Sequence, residues 1–129
     1  MLEFQKYLIE NNDNNFSTNR VRILQPILFL DSENNIVYKF SVQCHECAFC
    51  VPRATLPIGE YKEYEFSIIN ANENRFLNDK EIKNLVGALG SDISEFFDDF
   101  AGTLYTYVPS EIVEEIFLKM KEKFEILDR

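Results

Sequence analysis

Two stretches of the chain alternate apolar and polar residues strictly enough to predict strands. From residue 36, Ile36, Tyr38, Phe40, Val42 and Cys44 fall on one side while Lys39, Ser41, Gln43 and His45 fall on the other, as in a half-buried antiparallel strand. Residues 61–70 repeat the pattern, with Tyr64, Phe66 and Ile68 inward and Glu63, Glu65 and Ser67 outward. Residues 21–30 are rich in Ile, Leu, Val and Phe and predict a third strand. Pro26 cannot donate to a ladder, so that strand is an edge or is broken there. Asp31-Ser-Glu-Asn-Asn35 separates two apolar runs and reads as a turn. Residues 11–19 form a polar, Asn-rich loop, and Pro52, Pro57 and Gly59 bracket another.

The period changes elsewhere. Phe4, Tyr7 and Leu8 have helical spacing and predict a short N-terminal helix. After residue 77, Asn78 with Glu81 forms a capping-box start for a helix carrying Ile82, Leu85, Val86 and Leu89, with Gly90 as its stop. Ser91 is placed to cap a second helix with Ile93, Phe96, Phe97 and Phe100. Residues 103–108 fit helix or strand. Pro109-Ser110 opens a third helix with Val113, Ile116, Phe117, Met120, Phe124 and Leu127 inward, its glutamates early and its lysines late as the helix dipole favours. The expected fold class is α+β: an N-terminal helix, a small antiparallel sheet of about three strands, then two or three C-terminal helices packed on one face. Residues 1–129 are expected to form a single domain.

Composition narrows the class. Apolar residues make up 46% of the chain, and twelve Phe with six Tyr supply bulky core material. No segment approaches the roughly 20 apolar residues needed to span a bilayer. The first ten residues lack a basic start followed by a long apolar run, so no secretory signal is expected. Three cysteines crowded between 44 and 50 do not make a secreted disulfide framework and point to reduced thiols, hence a cytoplasmic location.

Charge changes the picture most. The net charge is −9 and it is lopsided: residues 1–57 hold five bases and six acids, whereas residues 58–129 hold eight bases and sixteen acids. Between Lys83 and Lys119 there is no Lys, Arg or His, while Asp92, Glu95, Asp98, Asp99, Glu111, Glu114 and Glu115 all fall in that window. Such a field disfavours direct binding to nucleic acid or to an anionic membrane.

The motifs with chemical potential are incomplete. Cys44-His-Glu-Cys-Ala-Phe-Cys50 offers Cys44, Cys47 and Cys50 as candidate metal ligands or a redox pair. A structural zinc site needs four ligands, usually as two separated pairs, and an iron–sulfur cluster lacks its fourth cysteine here. The bland expectation is three small hydrophobes in and after a strand. His45 is the only histidine, leaving Cys47 as its one conceivable dyad partner. Glu63 and Glu65 offer a carboxylate pair whose spacing the sequence does not set. No Gly-rich phosphate loop, H-E-x-x-H or G-x-S-x-G is present.

The expected function is therefore non-enzymatic and cofactor-free: an immunity- or antitoxin-type inhibitor whose acidic face occludes a basic protein such as a nuclease toxin domain. The expected contact residues are Asp92, Glu95, Asp98, Asp99, Glu111, Glu114 and Glu115, with Tyr105 or Tyr107 as an aromatic anchor. The alternatives are a nucleic-acid mimic that blocks a DNA- or RNA-binding protein, and a small metal or redox protein built on the cysteine run.

Overall fold

The computed structural model describes residues 1–10, 22–90, 92–98 and 104–128. Among these residues strands dominate, with eight strands in two sheets and only two α-helices. Strands β1 (Ile9–Glu10) and β2 (Leu24–Gln25) pair with each other. The main antiparallel sheet contains β3 (Ile27–Leu30), β4 (Ile36–Gln43), β5 (Glu63–Asn70), β6 (Arg75–Phe76), β7 (Tyr105–Pro109) and β8 (Glu125–Ile126). Its order is β6-β5-β4-β3-β8, and β7 also pairs with β5, alongside its first half. Helix α1 (Asp79–Val86) precedes β7, and the long helix α2 (Ser110–Lys123) follows it.

This overturns the expected fold class. The sheet has six strands rather than about three, and there is no N-terminal helix. Phe4–Tyr7 forms a single 3-10 turn, because Leu8 is already extended and Ile9 pairs with Gln25. A lone turn of that length has no cooperative helix to join. Of the three C-terminal helices that the spacing predicts, the first and third form among the described residues and the second does not. Residues 93–96 form a 3-10 turn capped by Asp92, whose carboxylate accepts from the Ser94 N–H at 3.0 Å, and Phe97 turns extended to bridge Tyr105. The expected cap Ser91, the Asn-rich loop of residues 11–19, and Phe100 lie outside the described residues.

Several local expectations hold at the level of single elements. Asn78 and Glu81 form a full capping box at the start of α1. That helix stops at Gly87, not Gly90: Gly87 has φ +76°, a left-handed conformation suited to glycine, and its N–H closes on Lys83. Asp31 accepts from the N–H groups of Glu33 and Asn35, making the turn into β4. Pro26 does break the strand, between β2 and β3, and a side chain mends the gap. The Gln43 amide accepts from Leu24 N–H at 3.0 Å and donates to Leu24 C=O at 2.9 Å, standing in for the missing ladder pair.

Alternation along β4 and β5 puts Phe40, Val42, Tyr64, Phe66 and Ile68 on one face of the sheet. There they meet α2 through Phe117, whose ring lies against Phe29, Phe40 and Tyr7. Helix α1 is on the same side, burying Ile82 and Val86 and packing on α2. The third expected correction concerns the end of α2. Phe124 adopts an extended conformation and stacks edge-on against Tyr38, and Glu125–Ile126 then pair with β3. Leu127 is consequently exposed instead of inward. No helix among the described residues is long and apolar enough to cross a membrane.

Candidate functional site

The opposite face of the sheet carries the other half of the same alternation, polar but for one residue: Lys39, Ser41 and Gln43 from β4, with Glu65, Ser67 and the apolar Ile69 from β5. Among the described residues no helix packs on it. Four irregularities converge there, all around Glu65.

The first is a β-bulge. Phe66 pairs with Tyr105 and Tyr64 with Val108, so two residues, Thr106 and Tyr107, stand opposite the single residue Glu65. The second is backbone strain: Tyr107 holds φ +54°, uncommon for any residue with a Cβ and more so for an aromatic. Its N–H donates to Phe49 C=O at 3.0 Å, and the two rings meet edge-on. Tyr107 is thereby turned outward, 38% exposed.

The third irregularity is Glu65 itself. Its side chain is half-buried in the sheet face and forms no ion pair with any described residue. Its one described hydrogen bond is a long one, accepted from Phe49 N–H at 3.5 Å. Burial raises its pKa above the ordinary carboxylate value, while the Phe49 N–H and the charge of Arg53 pull the other way. The guanidinium of Arg53 sits over the Phe49 ring, 5.4 Å from its centroid. The fourth is a cavity of about 160 Å³ lined by Ser41, Gln43, Glu65, Phe66, Ser67, Leu104 and Phe76, the last a 46% exposed residue. Phe76 lies on this face because it pairs with Ile69.

The residues expected to form one acidic face go to different places. Glu114 accepts from the N–H groups of Glu3 and Phe4 at 2.6 and 3.0 Å, clasping the N-terminal turn to α2. Glu115 accepts from Gly90 N–H at 2.5 Å, clasping the α1–β7 connection to α2. Asp92 caps Ser94 and pairs with Lys83 at 3.1 Å, which holds its carboxyl below the usual value. Glu95 and Glu111 are exposed, and Asp98 is half-buried, its N–H donating to Leu104 C=O. Asp99 lies outside the described residues. Tyr105 is 1% exposed and donates to Asp79, so it is a core residue and not an anchor. Of the two tyrosines, only Tyr107 reaches the surface.

The clasp by Glu114 gives a stability expectation. Glu114→Ala should lower unfolding free energy by about 1.5–3 kcal/mol, the range for hydrogen bonds to a charged group. Glu111→Ala, exposed one turn earlier, should change it by less than about 0.5 kcal/mol. Urea unfolding of both variants checks the contrast, and equal effects would contradict the assigned contact.

The cysteines do not form a three-ligand cluster among the described residues. Cys44 and Cys50 are buried and Cys47 is exposed, and among the described residues no group of three or more His, Cys, Asp or Glu could hold a metal. Burial pushes the Cys44 thiol up to about 11, with the Arg22 guanidinium opposing. His45 is buried with its pKa lowered by desolvation, and its Nδ1 accepts from the backbone N–H of Cys47. The described contact between these two residues is thus to the backbone and not to the thiol.

Sequence reasoning placed Glu65 on the outward row of its strand but missed its partial burial. The signal for burial comes from β7 and the Phe49 loop, 16 residues away in the case of Phe49. Phe76 and Thr106 sit in elements too short or too irregular to show a period. No protein-family model matches the chain, nor does any curated protein or solved structure.

Proposed function

We propose that the chain is a non-enzymatic binding protein of the immunity or antitoxin type, and that it receives a basic protein on the helix-free face of its sheet. The observation that carries this is the bulge opposite Glu65, which turns Tyr107 outward next to a half-buried carboxylate that has no ion pair among the described residues. Tyrosine is among the residues enriched in interface hot spots, and a half-buried carboxylate beside it can pair with a cation of the partner. The net charge of −9 complements a cationic partner and speeds its approach.

The acidic window contributes differently from what its sequence suggests. Glu114, Glu115 and Asp92 are occupied internally, so their charge acts at long range rather than by contact. Glu111 lies on α2, which packs on the other face of the sheet from Glu65. It serves as a control.

Immobilised protein offered a lysate of its own cells should retain a basic protein at low salt and release most of it at several hundred millimolar, where the Debye length falls to a few ångströms. Glu65→Lys should abolish that retention, and Glu111→Lys should leave it. Retention of no basic protein, or equal retention by wild type and the Glu65→Lys variant, overturns the proposal.

A further inference from the structure

We infer that the Glu65 cavity is a socket for one arginine side chain of the basic partner. This deepens, and rests on, the function proposed above. Its size comes first. At about 160 Å³ the cavity is well below the roughly 300–1,000 Å³ of pockets that hold whole small molecules, and it suits a single side chain.

Its lining comes second. Glu65 supplies two carboxylate oxygens, whose one hydrogen bond among the described residues is a long N–H contact and which feel the charge of Arg53 without an ion pair to it. Ser41 and Ser67 pair across β4 and β5 and add hydroxyl oxygens beside it. The amide of Gln43 is committed to Leu24 and Ser41, so it stiffens the floor instead of competing for the ligand. The cavity therefore presents a carboxylate and two hydroxyl oxygens able to accept, the complement of a group that only donates.

Arginine fits better than lysine for two reasons. A guanidinium has five N–H donors in a plane and engages a carboxylate through two parallel bonds, whereas an ammonium is a strongly hydrated point charge. The cavity also has apolar walls in Phe76 and Leu104, and the exposed Phe76 ring offers a face for stacking while the methylene stem lies against Leu104. The chain already uses this mode once, with Arg53 over Phe49 at the same end of the sheet.

The test needs no partner protein. Titrating the isotope-labelled chain with N-acetyl-arginine amide should give saturable shifts confined to the backbone amides of Ser41, Glu65, Ser67 and Phe76, with millimolar affinity. N-acetyl-lysine amide should bind at least about threefold more weakly. Glu65→Gln should weaken arginine binding by about tenfold, and Phe76→Ala by several-fold. Both substitutions are conservative or exposed, and the spectra themselves report whether the fold is kept. Equal response to lysine, an unchanged response in Glu65→Gln, or shifts spread over the surface overturns the socket. Such a result leaves the capture experiment to decide separately whether a basic protein binds at all.

Discussion

Phe117→Ala is expected to lower the unfolding free energy by about 3–5 kcal/mol, the range for deleting a buried phenyl ring from a core. Phe117 is fully buried at the middle of α2, and its ring meets Phe29 and Phe40 on the sheet and Tyr7 in the N-terminal turn. One side chain thus joins three elements that are far apart in sequence. A domain of this size has only about 5–15 kcal/mol of net stability, so the variant is left marginal or unfolded at room temperature. Phe117→Leu should cost less, because most of the volume is kept. Urea midpoints at constant slope measure both, and a loss below about 1 kcal/mol for the alanine variant would show that α2 does not pack on the sheet through this ring.

The second large effect belongs to Asp79. Its carboxylate accepts from the Tyr105 hydroxyl and from the Ser94 hydroxyl, each at 2.5 Å, and lies 3.7 Å from Lys83. Three separate elements, α1, the 93–96 turn and β7, are thereby tied at one point. Burial and the neighbouring carboxylate push the Tyr105 phenol upward, so it remains a protonated donor at neutral pH. Asp79→Ala removes the acceptor and strands a buried hydroxyl, an expected loss of about 2–4 kcal/mol. Tyr105→Phe removes the donor instead and should cost less. The double variant is expected to fall short of the sum of the single losses by about 1–2 kcal/mol, as for contacting partners in one network. Strict additivity would refute the direct bond.

These two nodes lie on the helix side of the sheet and the proposed binding face lies on the other. Substitutions at Phe117 and Asp79 should therefore read out as stability, whereas those at Glu65 and Phe76 should read out as binding. That separation makes the face testable without confusing a lost contact with a lost fold.

Strands β4 and β5 were legible because eight-residue alternation leaves a period that nothing else mimics. The capping box at Asn78 and the helix opened by Pro109-Ser110 were equally plain, since their signals lie within one turn of chain. The two-residue strands β1, β6 and β8 were not, because two residues carry no period and such strands exist only where a neighbour supplies the ladder. Leu127 and Phe124 show the same point: helical spacing continues past Lys123, but pairing with β3 wins.

The acids divide along the same line. Local order alone establishes that the charge surplus lies in residues 58–129, with an acid-only window inside it. It does not establish what each carboxylate touches. Glu114 reaches across 110 and 111 positions to the N-terminal amides, and Glu115 across 25 to Gly90. Glu65 acquires its half-buried place only when β7 bulges against it and the Phe49 loop closes over it. Periodicity and capping act over a few residues and are written in consecutive letters. Burial and partner choice depend on which distant segments share a sheet edge, and only the assembled molecule decides that.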